Sequence, residues 1–195
     1  MTKLATLTIL VTSATAFAAP PKALKRDDVA KIAKAIQDGL PPVDKAASAK
    51  CQVYLDAYNK DPETKLDQVP LAARCYRTAG ALSAAIRMWN LVDRYAPAKP
   101  SAIEATREMG AAYEASAMFD LAAEKYEQFA KKYANELEAP RLIVRAACIR
   151  FQLGDAATAD ADLAFASKAF KKASIAPRDS VCDNVHPIEM PATSP

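Results

Sequence analysis

Apolar residues recur at spacings of three and four along most of the chain, the pattern of amphipathic helices rather than of strands. Val29, Ile32 and Ile36 form one such row within Asp27–Leu40, where Asp27 or Asp28 supplies an N-cap and Gly39-Leu40-Pro41-Pro42 a stop. Tyr54, Leu55 and Tyr58 mark a second helix over Asp44–Asn59. From there the pattern repeats: the windows Val69–Pro97, Thr106–Ala134 and Ile143–Lys171 superpose at a spacing of 37 residues. Each window reads as two helices joined by a turn, at Gly80, near Met118 and at Gly154-Asp155. Small residues recur on the first helix at Ala73, Gly110 and Ala147, and on the second at Ala85, Ala122 and Ala159. Trp89, Tyr126 and Leu163 follow the second set four residues later, on the same helix face. A small residue then lets two helices approach, and a large one fills the adjoining groove. Tyr58 lies 37 residues before Tyr95, so Asp44–Asn59 reads as a second-type helix with Asp27–Leu40 as its hairpin partner. The pattern predicts about eight helices in up to four hairpins.

Composition narrows the class. The chain has 195 residues, 51% of them hydrophobic and only 4 of them glycine, while alanine makes up about 23%. Alanine is the best helix former, and so little glycine argues against a β-sandwich or barrel. It also leaves no Gly-rich phosphate loop and hence no Rossmann fold. A net charge of +3 does not by itself imply nucleic-acid binding.

The Leu153-Gly154-Asp155 turn and the series Met109-Gly110, Tyr113, Ala122 and Tyr126 resemble the tetratricopeptide repeat, a helix–turn–helix of about 34 residues. The resemblance covers roughly residues 66–172. It departs from the family in its longer period, in Val69, Thr106 and Ile143 where a large aromatic is usual, and in Val92 and Phe129 where alanine is usual. The fold it implies is all-α, a right-handed α-solenoid of about three to four hairpins over residues 27–172. Phe129, Tyr133 and the Ala139-Pro140 linker are similar to divergent repeats of bacterial envelope proteins. In the family, first helices line a concave groove that binds peptides. Carried over, Arg74, Arg77, Arg107 and Arg141 face that groove, with Glu104 and Glu114. First helices carry Arg and almost no Lys, whereas Lys125, Lys131, Lys132, Lys168, Lys171 and Lys172 belong to second helices and form a solvated outer wall. Two readings of the arginines stand open. They meet a partner protein or peptide, or they pair within the protein with acids such as Asp67, Glu104, Glu108 and Glu114.

Residues 1–18 read as a signal peptide, with Lys3, a short apolar run from Leu4 to Val11, and Ala16-Phe17-Ala18 as a small-x-small cleavage site. That run is too short to span a bilayer, and no later stretch reaches the length needed. The mature chain is expected to be exported, periplasmic or secreted. Residues 19–26 read as a spacer and 173–195, rich in Pro and Ser, as an irregular tail.

Four cysteines suit an oxidising compartment. Cys51 and Cys75 lie twelve residues either side of Glu63, the centre of an interhelix linker, and residues equidistant from the turn of an antiparallel pair are neighbours. The spacing predicts a Cys51–Cys75 disulfide. Cys148 then pairs with Cys182, tying the tail to the last repeat, or else is a small buried hydrophobe with Cys182 a free thiol. There is no CxxC, and the one histidine, His186, lies in the tail, so neither a zinc site nor a Ser–His–Asp or Cys–His machinery is expected. No cofactor is implied. Glu124, Glu127 and Asp162 read as solvated helix faces. The expected function is a non-catalytic scaffold for a protein partner, in cell-envelope assembly or secretion. The alternative is an accessory binding subunit of an envelope enzyme acting on peptidoglycan. A glycan would call for groove aromatics, and Phe151 is the single one at the aligned positions.

Overall fold

The computed structural model describes residues 23–173 and Cys182. These residues form eight helices and no strand: α1 (Arg26–Gly39), α2 (Lys45–Lys60), α3 (Gln68–Thr78), α4 (Leu82–Tyr95), α5 (Pro100–Ala115), α6 (Phe119–Lys132), α7 (Ala139–Gln152) and α8 (Ala156–Ala169). From α2 onward each helix packs on the next in sequence, and α3 also touches α5. The signal-peptide assignment, His186 and the rest of the tail beyond Ala173, apart from Cys182, lie outside the described residues.

The 37-residue spacing is written into the backbone. Gly80, Ala117 and Gly154 all adopt positive φ, at 73°, 58° and 90°. One residue further on, Ala81, Met118 and Asp155 donate their N–H groups to the carbonyls of Tyr76, Tyr113 and Arg150. This is the Schellman stop, in which a left-handed residue lets the chain satisfy the last helical carbonyls. Ends of the second helices match as well: Ala96, Tyr133 and Phe170 donate to Val92, Phe129 and Ala166. Pro100 and Pro140 sit in the first turns of α5 and α7, where a missing N–H costs nothing. Asp44 and Asp155 cap α2 and α8 by accepting from the N–H groups of Ala47 and Thr158 at 2.9 and 3.1 Å.

Two main apolar clusters fill the interior. The first joins α2–α5 around Trp89, which is fully buried with Cys51, Val69, Ala73, Ala85 and Met109. The second joins α5–α8 around Tyr126, Phe129, Ile143 and Ile149. Gly110 lies directly over the Tyr126 ring, so the small and large positions of the repeat do meet.

The first hairpin is not formed as the sequence suggests. Helix α1 does not pair with α2. Its apolar row, Val29, Ile32, Ala33 and Ile36, packs against the α5–α8 cluster instead. Three hydrogen bonds mark its path over the hairpin turns: Leu24 N–H to Gln152 O, the Gln37 side chain to Ser116 O, and Asp44 N–H to Ala79 O. The reason is that α2 has a single apolar stripe, and Cys51, Tyr54, Leu55 and Tyr58 turn it toward the α3–α4 cluster. Val53, off that stripe, stays 62% exposed. Leu40, before Pro41-Pro42, is extended (φ −60°, ψ 132°) and carries the chain from one turn to the next. Asp27 and Asp28 are not the N-cap, which is Lys25; they lie in the first turn, where their charge complements the helix dipole.

Both predicted disulfides are present. Cys51–Cys75 joins α2 to α3 with Cα atoms 5.5 Å apart, and Cys148–Cys182 brings the tail onto α7 with Cα atoms 5.1 Å apart. Cys182 is buried among Ala147, Phe151, Ala159 and Leu163, which closes part of the terminal face of the stack.

Candidate functional site

The direct α3–α5 contact, the Glu114–Arg145 ion pair between α5 and α7, and the Arg107 pair with Glu138 at the entry of α7 set the three first helices side by side. Their common face carries most of the arginines singled out above. Arg74 grips Glu104 with two nitrogens, Nε to Oε1 at 2.6 Å and Nη2 to Oε2. The same contact raises the guanidinium's already high pKa. Arg77 pairs with Glu108. Arg107 reaches Glu138 at 2.6 Å and Glu108 at 3.2 Å. Arg141 joins the far oxygen of Glu138 at 3.4 Å. The Arg107 guanidinium is the main cause holding Glu138 below the usual carboxylate range, with Arg141 adding to it.

Of the residues proposed for the groove, Arg77, Arg107 and Arg141 are therefore drawn into one network through Glu108 and Glu138, and Arg74 and Glu104 form a separate pair. Arg77 meets an acid of the neighbouring first helix and Arg107 the acid at the entry of α7, while Arg141 meets the acid at the entry of its own helix. Glu114 differs. It lies half-buried between Arg145 of α7 and the Tyr126 hydroxyl, which donates to it at 2.8 Å. Burial first, and then the Glu114 charge, pushes the Tyr126 hydroxyl up from its ordinary pKa. Asp67 accepts from the Gln68 side-chain amide at 3.1 Å. Phe151 is buried in the cluster that receives Cys182, so it does not offer a ring to a ligand.

Glu138 is the member the sequence reading passed over. Its signal was a spacing: Arg77–Glu108, Arg107–Glu138 and Glu114–Arg145 are each 31 residues apart, and Arg74–Glu104 is 30 apart. A partner 31 residues away lies one repeat on and six positions closer to the start of its helix.

A second set of ion pairs ties the second helices. Asp93 of α4 takes Lys132 at 3.5 Å and Lys125 at 3.9 Å, and Lys131 reaches Asp162 of α8 at 3.5 Å. Lys125, Lys131 and Lys132 thus link neighbouring helices, whereas Lys168, Lys171 and Lys172 are exposed. Asp162 is not the solvated residue its spacing suggests. It is buried, its Oδ2 lacks a hydrogen-bond partner, and burial with nearby Glu127 pushes its pKa up to about 6. Glu127 itself is held by Arg150 at 2.8 Å.

Among the described residues no group of three or more His, Cys, Asp or Glu side chains is placed to hold a metal ion. No helix there is long and apolar enough to cross a membrane. No protein family, curated protein or solved structure matches this chain.

Proposed function

We propose that this chain is an exported, non-catalytic binding protein. In this reading it is a right-handed α-solenoid of tetratricopeptide type, which holds a segment of a partner protein along the face shared by α3, α5 and α7. Its setting is cell-envelope assembly or secretion. The observation that carries the reading is the alignment of three first helices whose common face bears arginines, three of them held by carboxylates of the next first helix or its entry and Arg141 by the entry of its own. A guanidinium fixed on one edge loses less freedom when it meets a partner, which favours binding. Two disulfides suit an oxidising compartment.

Photo-crosslinking tests which face is used. Ala111 occupies on α5 the repeat position of Arg74, and Glu124 is exposed on α6. With a photoreactive residue at either site, the reading expects a partner adduct from position 111 and none from 124. An adduct from 124 alone overturns it.

A further inference from the structure

We infer that the turn edge of the α5–α8 half is a docking site for an amphipathic helix, and that its occupant beyond this chain's own α1 is the α1 of a second copy. The site is defined by what fills it. Leu24, just before α1, bonds to Gln152 at the end of α7, and Gln37, in the last turn of α1, bonds to Ser116 at the end of α5. Between these anchors Val29, Ile32, Ala33 and Ile36 pack on a cluster that includes Ala117, Phe119, Ile149 and Leu153, which neighbour the anchors in sequence.

The seat holds α1 by apolar contact and little else. Ile36 is the one buried residue of this helix. The ion pairs of α1 among the described residues, Lys31–Asp28 and Lys34–Asp38, stay within it. The stack is fastened differently: a disulfide joins α2 to α3, and ion pairs cross from α4 to α6, from α5 to α7 and from α6 to α8. Yet α1 does not stand alone. It has 14 residues and no side-chain N-cap, and a helix of that length is marginal in water. An α1 that leaves its seat must take an equivalent one or unfold, and a second copy offers the same contacts.

The link permits the exchange. Residues 40–44 separate α1 from α2, and α1 makes its apolar contacts with the far half of the stack. Pro41 and Pro42 keep φ fixed in any state of the link, so re-aiming α1 costs it little freedom. Protein concentration then decides between the closed and exchanged forms. A short link keeps α1 near its own seat at an effective concentration in the millimolar range, so exchange grows as the protein approaches that concentration.

The test has two arms, both on the full chain with its native disulfides formed. In the first, Ile36→Asp empties the seat, and a labelled peptide of residues 23–40 is titrated in by fluorescence anisotropy. We expect it to bind this variant, and to bind wild type roughly tenfold or more weakly because that seat is already filled. No binding to a variant that keeps its helical circular dichroism would overturn the seat. The second arm needs no change in the packing. A size-tagged Gln37→Cys chain is mixed with a Ser116→Cys chain and treated with a short bis-maleimide. The expected product is a covalent heterodimer whose yield rises from about 10 μM to about 1 mM protein, toward the effective concentration set by the link. Adding Ile36→Asp to the tagged chain should reduce the yield to that obtained with a Glu124→Cys partner. Equal yields from the Ser116→Cys and Glu124→Cys partners at every concentration would overturn docking between copies, leaving random collision alone. Peptide binding without the heterodimer would overturn the second copy as occupant and leave the seat to a helix of another protein.

Discussion

Replacing Gly110 by Ala sets a methyl group against the ring of Tyr126. A Cβ built at Gly110 would lie 2.5 Å from Cε1 and 2.7 Å from Cδ1 of that ring. Carbon atoms pack without cost at about 3.5–4.0 Å, so the ring must retreat by about 1 Å. It has little room: Tyr126 is buried, and its hydroxyl is tied to Glu114 at 2.8 Å. Overpacking of this kind costs about 1–3 kcal/mol. Against it stands the helix preference of Ala over Gly, about 1 kcal/mol. The balance predicts a net loss of about 1–2 kcal/mol, or a fall of a few degrees in Tm for a domain of this size. Thermal and urea unfolding followed by circular dichroism, with the disulfides intact, measures it. Gly39→Ala is the control, since nothing lies within 4 Å of a Cβ there, and it should leave stability unchanged or slightly higher. Pairing Gly110→Ala with Tyr126→Leu should cost less than the sum of the two changes, because the smaller side chain vacates the contested space. Gly110→Ala melting at or above wild type would refute the small-against-large logic of the repeat.

Other changes probe other parts of the fold. Gly154→Ala meets no atom within 4 Å but keeps a φ of 90°, so its cost is purely conformational, about 1 kcal/mol, read from the same unfolding curves. Asp162 has a folded pKa of about 6, above its ordinary 3.8. Its neutral form therefore suits the fold, and the stability linked to it is complete below about pH 4 and is lost as pH rises through 6. Asp162→Asn should accordingly gain on wild type between pH 4 and 7, by up to about 3 kcal/mol, and a pH-independent difference in urea midpoints would contradict this. Ile36→Asp should free α1 without unfolding the stack, so hydrogen exchange should speed up over residues 26–39 while α5–α8 stay protected; a uniform loss of protection would mean that α1 is integral to one cooperative unit. Removing the Cys51–Cys75 bridge, which spans 24 residues, as Cys51→Ser/Cys75→Ser should cost about 3 kcal/mol, again measured by denaturant unfolding.

Much of the architecture was legible because it is periodic. Seven helices from α2 onward, their turns and the Cys51–Cys75 bridge follow from a 37-residue spacing and from the symmetry of cysteines about a turn. The middle turn was harder to place because Ala117 adopts the left-handed conformation that glycine takes at 80 and 154. There the backbone keeps the period and the residue type does not. Helix α1 was legible as a helix but not in its place, since an amphipathic stripe says that a face is buried and not against what. At the candidate site the arginines stood out by type, and both readings left open for them bear on what is seen: they do pair with acids inside the protein, yet with guanidinium groups still exposed. Glu138 was overlooked because it precedes its helix, where residue type alone gives no hint of a partner 31 residues back. Asp162 was misjudged because helix-surface spacing cannot register a neighbouring helix that covers it.

The most direct test of the binding face is a crosslinking pull-down from the native envelope, comparing wild type with an Arg74→Gln/Arg77→Gln/Arg107→Gln variant. Glutamine suits this better than glutamate, which would set like charges against Glu104, Glu108 and Glu138. With equal helicity in the two proteins, the account predicts a partner that is captured by wild type and missing from the variant. The same partners in equal amounts from both would contradict it.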